Sequence, residues 1–217
     1  ALEPTIIVAF MRLIISNKQY VDIIIVMQNL GLENLKNIKC VIFDFDGTLC
    51  DLNIDWKKGF KKLEKDILQK FPLDEDEFDR LDIELKINNR VKKYGSEFKT
   101  AIDEFTSDYE NSEINGYKIN KDIIEKYKEK TLCIWSGNSI KLISKILKKE
   151  KLYNNFSLIL GFDSVMYNKP EIEGFQIIQK ELGFKNNEFL MIGNSEIDKL
   201  ACSKSNISYL DIEDVKI

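Results

Sequence analysis

Cys40-Val41-Ile42-Phe43-Asp44-Phe45-Asp46-Gly47-Thr48-Leu49 is the stretch on which the reading of this chain turns. Its first four residues are apolar and rich in β-branched and aromatic side chains, so they predict a short buried strand. The strand runs into two carboxylates one residue apart, Asp44 and Asp46, and then into Gly47 and Thr48. Open α/β sheets bind ligands at the carboxyl ends of their strands. Two acids in one such pocket repel each other, and they coexist cheaply when a cation lies between them or when one keeps a proton. Both solutions serve phosphoryl transfer. An acidic turn after a core strand accounts for one Asp but not for the whole string.

The bulk composition sets the frame around this motif. A chain of 217 residues is long enough for one sizeable core with an appendage. With 44% hydrophobic and 31% charged residues it has an ordinary globular composition, and its net charge of -4 speaks against a nucleic-acid partner. There is no histidine, which removes Ser-His-Asp and Cys-His systems and every His-ligated metal site. The chemistry is left to carboxylates, Lys, Ser/Thr and Cys. The four cysteines (Cys40, Cys50, Cys133, Cys202) form no Cys-x-x-Cys pair, and the expectation is reduced thiols in a cytoplasmic setting.

Along the chain, residues 1–36 hold two apolar runs split by Asn17-Lys18-Gln19. Each is too short to span a bilayer, and neither a basic start nor a small-residue cleavage site marks a signal peptide. A strand hairpin and a pair of amphipathic helices both fit the periodicity, and the expected role is an extension packed on the core or on a partner. From Leu52 to about Gly116 the pattern becomes helical. Phe60, Leu63, Ile67 and Phe71 share one helix face, as do Phe98, Ile102, Phe105 and Tyr109. Pro72 ends the first helix, and the acids at 74–77 suit the start of the next. This stretch reads as a small all-helical insertion. Strands and helices then alternate: strands at Thr131 to Trp135, Phe156 to Leu160 and Phe189 to Ile192, with helices between them. One of these helices is expected to run from Pro170 to Leu182 and stop at Gly183. The alternation predicts an α/β fold with a doubly wound, Rossmann-like parallel sheet.

Three further polar clusters fall where strands end or helices begin. Ser136-Gly137-Asn138-Ser139 offers a hydroxyl and exposed backbone N–H groups, the makings of a phosphate cradle. Asn168-Lys169-Pro170 places a lysine just before a helix, and Gly193-Asn194-Ser195-Glu196-Ile197-Asp198 follows a strand. Each alone also reads as a surface lysine or an ordinary capped turn.

Together, in this order, the four clusters resemble the haloacid dehalogenase superfamily of hydrolases over roughly residues 38 to 210, and in particular its phosphoglycolate phosphatase-like members. The resemblance implies a core over 37–51 and 117–217, a helical cap over 52–116, and an N-terminal extension over 1–36 that could form an interface. It also implies a Mg²⁺-dependent phosphatase acting on a small-molecule phosphate ester. Asp44 would be the nucleophile, Asp46 the general acid and base, Thr48 a partner of the phosphoryl oxygens, and Lys169 a charge neutraliser. Ser136, Gly137 and Asn138 would bind the phosphate. Asp44, Asp46 and Asn194 would hold the metal, supported by Ser195 and Asp198. One departure stands out: Asn194 occupies a place where such phosphatases usually carry an Asp. A metal-weakened or non-catalytic relative, a phosphomutase and a dehalogenase therefore stay open as alternatives.

Overall fold

A computed structural model of the chain describes residues 37–73 and 83–215; the apolar runs of 1–36 and the acidic helix start at 74–77 lie outside the described residues. Strand β1 (Cys40–Phe43) is followed by β2 (Cys50–Leu52), helices α1 (Trp56–Asp66) and α2 (Ile83–Glu113), and β3 (Tyr117–Ile119). Then come α3 (Lys121–Lys126), β4 (Thr131–Trp135), α4 (Ile140–Lys149), β5 (Leu158–Leu160) and α5 (Glu173–Leu182). The chain continues through β6 (Phe189–Gly193), α6 (Glu196–Ser205), β7 (Ser208–Asp211) and α7 (Ile212–Val215). None of the described helices is long and apolar enough to cross a membrane.

Five strands form a parallel sheet in the order β5-β4-β1-β6-β7, which is the doubly wound arrangement expected. Strand β1 is central, and Cys40 to Phe43 are all fully buried, which is why their sequence is a continuous apolar run rather than an alternating one. One face of the sheet packs Ile42, Trp135, Phe175, Ile178, Phe189 and Met191 into a single core. The carboxyl ends of β1, β4 and β6 therefore sit side by side, carrying Asp44, Ser136 and Asn194 next to one another in the sheet.

Helices α1 and α2 lie in the segment between β2 and β3, which pair antiparallel with Leu52 opposite Tyr117. That short antiparallel pair was not foreseen, because two three-residue strands carry too few positions for alternation to register. The apolar stripes pack as expected around Leu63, Leu68, Val91, Phe98 and Ile102. Phe60 departs from its stripe and is 42% exposed. Gly59 marks the crossing of the two helices, since a Cβ there would come within 2.6 Å of the Tyr109 ring. Inside α2, Gly95 leaves helical geometry (φ 62, ψ -140) and joins two helical stretches across a kink.

Two boundaries differ from expectation. The strand expected from Phe156 covers only Leu158–Leu160, because a 3₁₀ turn over Tyr153–Asn155 leads into it. The helix expected from Pro170 begins at Glu173. The Lys169–Pro170 peptide is cis, and the Glu171 N–H donates to the Asn168 carbonyl in a turn that precedes the helix. Glu173 then accepts from the N–H groups of Met166 and Tyr167, so its carboxylate shapes the loop that carries Lys169.

Candidate active site

The loop after β1 folds back on itself. The Asp44 N–H still pairs with the Ile192 carbonyl of β6, and the Cys50 N–H donates to the Phe45 carbonyl at 2.9 Å. Phe45 and Leu49 are fully buried and pin the loop, while Gly47 takes φ +76 at its tip. A Cβ on Gly47 would also lie 2.1 Å from Asn194 Nδ2, so glycine is needed twice over, for its backbone angle and for the closeness of the Asn194 side chain.

Lys169 ties this loop to the start of α6. Its Nζ donates to Asp44 Oδ1 at 2.8 Å and to Asp198 Oδ1 at 2.5 Å, and all three side chains are buried. Asp198 also accepts from the Ser195 hydroxyl at 2.6 Å and from its N–H, so the capping box of α6 fixes the carboxylate that holds the lysine. Burial pushes the Asp44 carboxyl up to about 6, with Lys169 pulling it down and Asp198 pushing it up. Burial opposes the Lys169 ammonium, yet Asp198 and Asp44 outweigh it and hold the amine above the usual lysine range.

Asp46 is held separately. Its Oδ1 accepts from the Leu52 N–H at 3.0 Å and its Oδ2 from the Trp56 indole N–H at 2.7 Å. Burial lifts its carboxyl above the usual range against the pull of those two donors. Trp56 was missed at the sequence level; its signal was a lone indole in the first turn of the helix that follows the motif.

The Ser136 loop differs from the cradle expected. Ser136 Oγ donates to Asn138 Oδ1 at 3.1 Å and accepts from the Asn138 N–H at 3.2 Å. The Asn138 amide donates to Glu110 Oε1 at 3.0 Å, and the Ser139 N–H and hydroxyl both donate to Glu110. The Ile140 N–H is taken by Asp163 at 3.0 Å. The N-terminus of α4 is thus already satisfied by two carboxylates of the protein itself. Ser136, Gly137 and Asn138 all line the cavity, and the Asn138 side chain at the same time bonds to Ser136 and Glu110. Glu110 is fully buried, and desolvation pushes its carboxyl up to about 7 against the hydrogen bonds from Ser139 and Asn138.

Above the loops, a cavity of about 280 Å³ is floored by Asp44, Asp46, Ser136, Lys169, Asn194 and Asp198 and roofed by α1 and α2. Thr48 is not part of its wall; its hydroxyl is buried without a hydrogen-bond partner among the described residues. Helix α2 is fastened to the floor loops at several points, among them the Lys92–Glu171 ion pair at 3.4 Å on the surface. Asn88 exchanges two hydrogen bonds with the backbone of Asn168, Lys99 donates to the Phe162 carbonyl, and Glu110 receives the Ser136 loop.

Of the residues expected to hold a metal, Asp44, Asp46 and Asn194 all line the cavity. Among the described residues no group of three or more His, Cys, Asp or Glu is placed to hold a metal. The Asp46 carboxylate is turned to Trp56, Asp198 to Lys169, and Glu196 pairs with Lys199 on the surface. One carboxylate with neutral oxygens still fits an ion that keeps waters and takes phosphate oxygens, as Mg²⁺ does. Even with a proton on Asp46, the carboxylates of Asp44 and Asp198 against the one ammonium of Lys169 leave the floor net negative, an imbalance a divalent cation corrects.

Comparison with known proteins agrees with this architecture. The chain is 24% identical over 186 residues to the pyrophosphatase PpaX of Oceanobacillus iheyensis, covering 79% of this chain and 81% of that one. It is 26% identical over 188 residues to a phosphoglycolate phosphatase of Neisseria gonorrhoeae, covering 77% and 76%. The solved structure of a predicted phosphoglycolate phosphatase from Haemophilus somnus shares the fold with a TM-score of 0.55 at 20% identity, over 80% of this chain and 84% of that one. A family model described as haloacid dehalogenase-like hydrolase matches residues 41–212, from the middle of β1 to the start of α7. The chain belongs to that family of hydrolases.

Proposed function

We propose that the chain is a Mg²⁺-dependent phosphatase that hydrolyses a small-molecule phosphomonoester through an aspartyl phosphate on Asp44. The observation that carries this reading is the buried Asp44–Lys169–Asp198 chain on the floor of a roofed cavity, with Asp46 two residues along the same loop. An Asp44 carboxylate oxygen attacks phosphorus as the bond to the leaving oxygen breaks. Asp46 gives that oxygen its proton. Asp46, now ionised, takes a proton from water as the water attacks the phosphorus of the aspartyl ester, releasing phosphate and restoring Asp44. Lys169 offsets charge on Asp44 and on the transferring group, and Ser136 and Gly137 meet the phosphoryl oxygens. Asp44, the Asp46 carbonyl and Asn194 would hold Mg²⁺, whose chemistry there would be to neutralise charge on the transferring group. Roof helices α1 and α2 act as a cap over 52–116 that keeps water from the first step. Four buried, free cysteines fit a reducing cytoplasmic setting.

The test is Asp44→Asn assayed on p-nitrophenyl phosphate with Mg²⁺ and with EDTA. Wild type should turn over only with Mg²⁺. The variant should keep its unfolding midpoint within a small margin and lose activity by a factor on the order of 10³ or more. Activity near wild type would rule out covalent catalysis by Asp44. A binding-only relative is the second reading, and Asn194 favours it by removing a charge from the metal side. No turnover by a folded wild type under any metal condition would select it.

A further inference from the structure

The floor of the cavity provides for a phosphoryl group, and the roof provides for something quite different. Trp56 and Phe60 of α1 stack at 6.2 Å with their planes 23° apart, and Phe105 and Tyr109 of α2 stack at 6.0 Å and 10°. Trp56 also meets Tyr109 at 6.2 Å, so the two pairs form one continuous aromatic wall. The polar ends of these rings are spent elsewhere: the Trp56 N–H on Asp46, and the Tyr109 hydroxyl on the Asp55 carbonyl at 2.7 Å. What they present to the cavity is ring carbon, joined by Leu63 and Ile102.

Among the described residues lining the cavity, Lys169 is the one cation, and it is engaged by Asp44 and Asp198. Among the described roof residues that line the cavity are Thr106 and Glu84, and no lysine or arginine. A leaving group bearing a second anion would have to be desolvated against hydrocarbon, with carboxylates as its charged neighbours. A ring would bury its faces against rings, and Phe60, 42% exposed, leaves the wall open at the rim for it to enter.

We infer that the substrate is a phosphomonoester of an uncharged, ring-bearing alcohol, and that the site discriminates against leaving groups carrying a carboxylate or a second phosphate. The reaction is hydrolysis: water adds, the P–O bond to the ring-bearing alcohol breaks, and the alcohol leaves with a proton. This inference rests on the phosphatase reading for its chemistry, but the pocket preference can be measured without turnover. It separates the chain from the relatives whose names specify pyrophosphate or phosphoglycolate. The volume of about 280 Å³ sets a small scale, about one phosphate and one ring.

Two measurements test it. The kcat/KM for benzyl phosphate, 2-phosphoglycolate and pyrophosphate is compared in wild type and in Phe60→Lys, a substitution at a rim position that leaves the core intact. Binding of benzylphosphonate and phosphonoacetate is measured by calorimetry in both proteins. Benzyl phosphate should exceed 2-phosphoglycolate by about a hundredfold, and Phe60→Lys should narrow that ratio by about tenfold. Benzylphosphonate should bind more tightly than phosphonoacetate. Equal or better use of 2-phosphoglycolate or pyrophosphate overturns the inference, as does equal binding of the two phosphonates. Absence of turnover on every ester, with benzylphosphonate still preferred, upholds the pocket assignment and overturns the phosphatase reading.

Discussion

Two side chains beside the loop proposed to carry catalysis determine what its acids can do. The Trp56 indole donates to Asp46 Oδ2 at 2.7 Å, fixing a carboxyl that burial already lifts above its ordinary range. A hydrogen bond to a charged acceptor is worth about 1.5–3 kcal/mol. Trp56→Phe keeps a ring in the roof and removes the donor. It should cut kcat on alkyl phosphates about ten- to a hundredfold, and on p-nitrophenyl phosphate far less, because a good leaving group needs little protonation. Equal losses on both would remove Trp56 from any part in positioning the acid. Asn194 acts through the charge it lacks. A carboxylate there would gain attraction to a divalent cation on the order of a few kcal/mol at an effective dielectric near 20, part of it returned as desolvation. Asn194→Asp should therefore lower the Mg²⁺ concentration for half-maximal activity by about tenfold or more; superimposable titrations would place Asn194 away from the metal. The first loop and its partners Lys169 and Asp198 were legible in the sequence because each is a charged residue at a strand or helix end. Trp56 was not, since nothing in its own spacing says which acid an indole will reach. The cradle at Ser136 was half legible: the hydroxyl was visible, but not the two carboxylates that occupy the helix start.

Helix α2 carries more of the site than its apolar face suggests. Lys99, Asp103, Thr106 and Glu110 repeat the spacing of Phe98, Ile102, Phe105 and Tyr109 one residue further on. That second, polar stripe was the available signal for Glu110, and a reading that follows hydrophobic period alone passes over it. Glu110 is buried against the Ser136 loop, with Asp163 the other carboxylate facing it. Its carboxyl sits at about 7 in the folded protein against an ordinary 4.5. Between these values the folded state holds a proton that the unfolded chain has released, so this group's contribution to stability falls as pH rises through the window and levels off above it. At about 1.4 kcal/mol per pH unit, the loss is on the order of 3 kcal/mol. Glu110→Gln keeps an acceptor for Asn138 and Ser139 and carries no charge. Its denaturant midpoint should vary less than wild type between pH 5 and pH 8 and should match or exceed wild type at pH 8. A variant with the wild-type pH slope would show that Glu110 does not titrate in this range.

At the scale of the molecule, the sheet brings together residues 44, 136 and 194, which the chain keeps far apart, and the helical segment inserted between β2 and β3 closes the space above them. The strand-helix rhythm made the sheet predictable, while the strand order and the roofing of the site belong to long-range packing that no local pattern encodes. The roof is not one rigid rod. Gly95 stands at φ 62 with nothing within 4 Å of where a side chain would begin, so neighbours do not select glycine here; the backbone angle does. Gly95→Ala should lower stability by about 1 kcal/mol or more, read from the denaturant midpoint, with no clash to relieve by a second mutation. An unchanged midpoint would mean the bend is not required for folding. Mechanically, the bend makes α2 a jointed lever. Its longer arm is fastened at Lys99 and Glu110, and its shorter arm at Asn88 and, on the surface, through Lys92 to Glu171. To swing, the short arm has to give up Lys92–Glu171 as well as the Asn88 pair while the long arm stays seated on the Ser136 loop, so the wall that moves is the one made by Ile83 and Ile87, not the one made by Ser136 and Gly137.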